Sequence, residues 1–129
     1  MDRHCANAMA MAKFLSTHSA VAKVNYCGLE SHPDYSVAKK QMKNGGGLFC
    51  FELKGGLEKG RTFLNNLKMI SRTANLGDTR SIASHPASTT HAKLTEAERM
   101  AVNITPGLIR ISCGLEHRDD ILNDIVQAL

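Results

Sequence analysis

Tryptophan is missing from this sequence altogether, and Phe and Tyr supply only 5% of its 129 residues. A protein that grips nucleic acid through stacking needs rings interleaved with basic residues. Here sixteen Lys and Arg are dispersed among twelve acids. The net charge of +4 and the pI near 9.0 therefore describe a mildly basic, solvated surface, and no nucleic-acid partner is expected. Long hydrophobic runs are also lacking. The apolar stretch from Cys5 to Ala12 is short, is interrupted by Asn7, is followed by Lys13 and has no small-residue cleavage site, so neither a signal peptide nor a membrane span is expected. Cysteine is sparse. Cys5, Cys27, Cys50 and Cys113 are far apart, sit among apolar neighbours and form no C-x-x-C pair. They are expected to be buried free thiols of a protein in a reducing, cytoplasmic compartment. Repeats and low-complexity tracts are absent too, and Asn44-Gly45-Gly46-Gly47 is too short to link two domains.

What is present is enough for one core: 43% of the residues are hydrophobic, which a single domain of this length can bury without disulfide or metal staples. Cys5, Ala8, Met9, Ala12 and Leu15 recur at helical spacing and predict a first helix, with Asn7 and Lys13 facing water. Ala22, Val24 and Tyr26 alternate with Lys23 and Asn25 and predict a strand with one dry face, ended by Gly28. Ser31-His32-Pro33-Asp34 reads as a turn opening a polar helix that runs to about Met42. Leu48 to Leu53, apolar apart from Glu52, predicts a strand lying centrally in a sheet. After the Gly55-Gly56 break, Leu57, Arg61, Leu64 and Leu67 mark another helix. Short strands are expected around Met69 to Ala74 and Ser81 to Ser84, separated by the turn Asn75-Leu76-Gly77-Asp78. Thr95-Glu96-Ala97-Glu98 has the form of a capping box. Leu108 to Cys113 predicts the last strand, and the last helix carries Ile121, Leu122, Ile125, Val126 and Leu129 on one face with Asp119 and Asp120 near its positive end. Helices and strands alternate, but several connections are too short for parallel crossovers. The expected fold is α/β (α+β), with a mainly antiparallel sheet covered by helices on one face.

One residue stands out. In the last strand Ile109, Ile111 and Cys113 point to one face, and Leu108, Arg110 and Ser112 to the other. If helices cover the isoleucines, Arg110 projects from the less covered face. There its planar fork of donors suits a carboxylate in bidentate geometry. Periodicity leaves two other roles open: an ion pair with one of the chain's own acids, or an exposed arginine on an open sheet. The stretch from Ala74 to His91 gathers Asn75, Asp78, Ser84, Ser88, Thr89, Thr90, His85 and His91. The two histidines lie six apart with no third ligand at metal spacing, so no metal site is expected. A Ser-His-Asp triad has no nucleophile-elbow sequence behind it. Turn-anchoring hydrogen bonds are the preferred role for the histidines.

The stretches "GLESHPDYSVAKKQM", "FELKGG", "NLGDTRSIASHPASTTH" and "TEAERMAVNITPGLIRISCGLEHRDDILNDIVQAL" closely resemble the C-terminal part of the Cys/Met-metabolism family of pyridoxal-phosphate enzymes. This family comprises the O-acylhomoserine sulfhydrylases, cystathionine γ-synthase, the cystathionine lyases and methionine γ-lyase. The resemblance runs from about Arg3 to Leu129 and implies the small C-terminal domain of a fold-type I enzyme. Ala74-Asn75-Leu76-Gly77-Asp78 and Ser88-Thr89-Thr90-His91 look most like the sulfhydrylases, which make homocysteine from O-acetyl- or O-succinyl-homoserine and sulfide.

By the same resemblance Arg110 matches the arginine that binds the substrate α-carboxylate. Asn75 stands where a serine often lies beside that carboxylate, and Thr90 matches a threonine near it. The resemblance places pyridoxal 5'-phosphate on a lysine in a Ser-x-Thr-Lys context within an N-terminal cofactor domain, and no Ser-x-Thr-Lys occurs in these 129 residues. The chain is thus expected to hold no catalytic, cofactor-binding or metal-binding residue of its own and to be inactive alone. Its partners would be the N-terminal cofactor domain, an O-acylhomoserine, sulfide, and further copies in a homotetramer. The alternatives are the same domain of a γ-synthase, a cystathionine γ-lyase or methionine γ-lyase, or, from another class, a free-standing binding module.

Overall fold

The computed structural model describes all residues from Met1 to Leu129. Five helices and five strands follow one another as α1 (Asp2–Ser16), β1 (Val21–Asn25), α2 (Tyr35–Gln41), β2 (Leu48–Leu53), α3 (Gly56–Asn66), β3 (Ser71–Arg72), β4 (Ile82–Ser84), α4 (Glu96–Ala101), β5 (Leu108–Ser112) and α5 (Arg118–Ala128). The strands form one sheet in the order β1-β2-β5-β4-β3. All pairings are antiparallel except β3 with β4.

The alternation of burial along the strands decides which face holds the core. On β2, Phe49, Phe51 and Leu53 are buried, and on β5 Ile109 and Ile111 are fully buried. These side chains form one cluster with Ala8, Met11, Ala12 and Leu15 of α1, Phe63 and Leu64 of α3, and Ile121 and Ile125 of α5. The helices therefore lie on the isoleucine face, which meets the condition under which Arg110 projects from the less covered side. Phe51 meets Phe63 edge-on with ring centroids 5.5 Å apart, which ties sheet to helix. Behind the sheet α3 comes close to the turn after β4. A Cβ on Gly60 would lie 2.4 Å from the ring Nε2 of His85, so only glycine allows that approach.

Several expectations are corrected. Asn7, expected to face water, is 2% exposed, because its amide donates to the carbonyls of Gly114 (3.0 Å) and Glu116 (3.1 Å). Ala22 does not share the dry face of β1. The ladder slips between Val21 and Lys23, a bulge that leaves Ala22 exposed and turns Val21, Val24 and Tyr26 inward. Cys27 and Cys50 are half-buried, whereas Cys5 and Cys113 are buried; all four are free thiols, and burial pushes Cys113 up to about 12. The strand expected from Met69 to Ala74 shrinks to Ser71–Arg72, because the Asp124 carboxylate takes the amides of Lys68, Met69 and Ile70. On α5, Val126 is 46% exposed; the inner stripe is Ile121, Asp124, Ile125 and Ala128.

The capping box holds. Thr95 Oγ1 accepts from the Glu98 amide at 3.3 Å, and Glu98 Oε2 accepts from the Thr95 amide at 2.7 Å. No helix is long and apolar enough to cross a membrane, and no group of three or more His, Cys, Asp or Glu side chains is arranged to hold a metal.

Candidate functional site

Arg110 occupies the middle strand of the sheet, and the register settles its neighbours. Cys50 of β2 lies directly opposite it on one side and Ser84 of β4 on the other, and Asn25 of β1 lies opposite Cys50. A row Asn25, Cys50, Arg110, Ser84 thus crosses the face that the three packing helices leave free. The face is partly open. Asn25 is exposed, Cys50 and Arg110 are half-buried, and Ile82 and Ser84 at the β4 end are buried.

The arginine pairs with no acid: the chain's arginine–carboxylate pairs are Arg61–Glu58, Arg80–Asp78 and Arg118–Asp119. Its one hydrogen bond runs from Nη2 to the carbonyl of Ala74, 2.7 Å away. The lack of an acidic partner removes the internal ion pair from the roles the sequence left open. A guanidinium has five N–H donors, and a single backbone acceptor leaves the rest of the fork for a ligand. The bond to Ala74 also ties the strand to the loop that carries Asn75. Cys50 feels the charge: burial raises its thiol pKa, and the Arg110 cation beside it works in the opposite direction.

Asn75 follows the carbonyl that Arg110 holds, so the structure brings these two predicted residues to one place. Its side chain is exposed. The loop around it is braced from both sides. Glu116 accepts from the Ser81 amide at 2.6 Å and from Ser81 Oγ at 2.8 Å, and Ser81 Oγ in turn accepts from the Gly114 amide at 2.9 Å. Within the loop Asp78 takes the Arg80 guanidinium at 2.8 Å, and this hydrogen-bonded charge holds its carboxyl well below the usual range. Thr90 is exposed, and its hydroxyl meets His91 Nδ1 at 2.8 Å; no hydrogen bond joins it to Arg110.

His85 is a turn anchor, as expected, whereas the His91 ring meets only the hydroxyl of the adjacent Thr90. His85 is fully buried, with Nδ1 2.7 Å from Ser88 Oγ and Nε2 2.8 Å from the carbonyl of Pro106. A carbonyl only accepts, so Nε2 carries the proton and Nδ1 accepts from the serine. Burial lowers the pKa of His85 below its ordinary value. Both ring nitrogens are committed, which leaves none for a metal or for proton transfer to a ligand.

Two cavities flank Arg110 along β5. One of about 290 Å³ lies at the Leu108 end, among Lys23, Asn25, Glu52 and Thr105. The other, of about 250 Å³, lies at the Ser112 end, among Leu48, Leu76 and Gly77. Sequence periodicity gave the face on which Arg110 stands, but not that Cys50, Ser84 and the Ala74 carbonyl meet it there, since cross-strand neighbours depend on register between distant segments.

Along all of residues 1–129 the chain matches the family model described as "Cys/Met metabolism PLP-dependent enzyme". It is 53% identical over its full length to an L-methionine gamma-lyase of Fusobacterium nucleatum subsp. nucleatum and 50% identical to an L-methionine gamma-lyase of Pseudomonas putida. It is 47% identical to an O-acetyl-L-homoserine sulfhydrylase of Leptospira meyeri. These alignments cover 33%, 32% and 30% of the relatives' own lengths, so the chain spans about a third of each. A whole-length family match and half-identical relatives agree with a sheet that presents an arginine free of acidic partners, and the chain belongs to the Cys/Met metabolism family of PLP-dependent enzymes.

Proposed function

We propose that this chain forms the carboxylate-binding part of a pyridoxal-phosphate enzyme that breaks a bond at Cγ of a small L-amino acid. The observation that carries this reading is the guanidinium of Arg110, which spends a single N–H on the Ala74 carbonyl and pairs with no acid. Two N–H groups of one plane bind both oxygens of a carboxylate and so fix its rotation. With the carboxylate fixed, the Cα–H bond and the leaving group at Cγ hold one orientation, which is the geometric requirement for proton removal and elimination. Asn75, next to the anchoring carbonyl, is the nearest predicted amide that could add a donor, and Thr90 has the weaker claim.

Pyridoxal phosphate supplies an electron sink for carbanion chemistry next to an amino group. The row around Arg110 contains no lysine and no cradle of backbone amides for a phosphate, so these residues do not fit the cofactor by themselves. We place it in the part of the protein that corresponds to the other two thirds of the relatives' length. Assembly into a homotetramer in the cytoplasm belongs to the same reading.

The reaction branches into two candidates. Elimination from methionine is favoured by the 53% and 50% identities to methionine γ-lyases. Replacement by sulfide on an O-acylhomoserine is favoured by Asn75 and Thr89, and by the 47% identity to a sulfhydrylase and the 46% identity to a homocysteine synthase of Schizosaccharomyces pombe. The full-length protein given methionine alone, and separately O-acetylhomoserine with sulfide, separates them by whether methanethiol leaves methionine or homocysteine is formed from the acyl ester.

In either assay Arg110→Ala is expected to raise KM for the amino acid by about 100-fold, roughly the loss of one charge-assisted bidentate contact. An unchanged KM would remove Arg110 from the site, and no turnover of either substrate by the full-length parent would leave a binding module without this chemistry as the better account.

A further inference from the structure

Ser84 is an idle hydroxyl in a place where hydroxyls are otherwise employed. The residue is 4% exposed, and its Oγ is closed off from solvent without a hydrogen-bond partner. Around it Ser81 Oγ is bound to Glu116 and the Gly114 amide, Ser88 Oγ to His85 Nδ1, and Thr89 Oγ1 to the carbonyl of His85. A buried polar group without a partner destabilises the fold, and alanine would fill the same space without that cost. An unpaired serine there is explained if a partner reaches it in another state of the molecule.

The geometry names the partner. Ser84 stands directly opposite Arg110 on the β4–β5 ladder, where facing Cβ atoms lie roughly 5 Å apart, within reach of an arginine stem. Arg110 has used Nη2 on the Ala74 carbonyl and has no partner on Nε. We propose that Ser84 is a positioning residue for Arg110. When a carboxylate draws the guanidinium over the sheet, Arg110 Nε–H donates to Ser84 Oγ, and the outer nitrogens are held facing the ligand. The Ala74 carbonyl is the resting place of the guanidinium and Ser84 its working one. Ser84 acts through Arg110, so the proposal rests on the carboxylate-site reading above.

The test is Ser84→Ala in the full-length protein, measured by thermal unfolding and by steady-state kinetics with the amino-acid substrate. The expected result is an equal or higher Tm, a KM raised about tenfold and a kcat within twofold of the parent. In an Arg110→Ala background the same change should add nothing to KM. A KM unchanged by Ser84→Ala, with Arg110→Ala still raising it, overturns the role of Ser84 and leaves the carboxylate site standing. A lowered Tm with an unchanged KM assigns Ser84 to packing and overturns the proposal as well. If Arg110→Ala itself leaves KM unchanged, the carboxylate reading fails and this proposal fails with it.

Discussion

Asp124 is the acid whose removal the structure makes most costly. It sits in α5, is 6% exposed, and turns its carboxylate onto a segment more than fifty residues earlier in the chain. Oδ1 accepts from the Lys68 amide at 2.8 Å, and Oδ2 accepts from the amides of Met69 at 2.9 Å and Ile70 at 2.8 Å. Gln127 Nε2 adds a further donor to Oδ1 at 3.0 Å.

Asp124→Ala orphans three amides at once. The Ile70 amide is buried, and leaving it unpaired costs about 2 kcal/mol; those of Lys68 and Met69 are part-buried, and water would restore some of their bonding, so each costs about 1 kcal/mol. The sum is about 4 kcal/mol, a large share of the roughly 5–15 kcal/mol that holds a typical domain together. Asp124→Asn keeps one oxygen but aims an amino group at amide donors, so about 2–3 kcal/mol is expected. Urea unfolding of the 129-residue chain reads both values from the midpoint at constant slope. A loss below about 1 kcal/mol for Asp124→Ala would refute the assignment of these three bonds as the anchor of the segment leading into β3.

Two more perturbations test the bracing of the site. His85 is held below its ordinary pKa by burial, so the unfolded chain binds the proton more readily than the folded one; stability is present at neutral pH and is lost as pH falls through about 6.5 and on toward the depressed value. His85→Gln should flatten the fall in Tm between pH 7.5 and 5.5, and a slope unaffected by the change would exclude His85 as its source. Glu116→Ala should release the Ser81 amide and hydroxyl together, at a cost of about 1–3 kcal/mol, and raise hydrogen exchange at the Ser81 and Gly114 amides. Unaltered exchange there would mean that the loop carrying Asn75 is held by something else.

Sequence alone determined what depends on neighbours three or four residues away. The helical recurrence of Ala8, Ala12 and Leu15, the alternation of Ile109, Arg110 and Ile111, and the capping box of Thr95 and Glu98 all reappear in space, because side-chain direction in a helix or strand follows from local geometry. The face on which Arg110 stands was legible for the same reason, and the resemblance of its surroundings to a known family named a ligand for it.

The tertiary structure decided what depends on distant segments meeting. The order β1-β2-β5-β4-β3 put Cys50 and Ser84 beside Arg110, and no local pattern encodes a register between residues 26 and 60 positions apart. Asn7 and Asp124 read as surface residues by their polarity alone, although each shares a helix face with apolar neighbours. Both are buried because backbone groups of remote loops need their side chains, and polar atoms enter a core when such partners satisfy them.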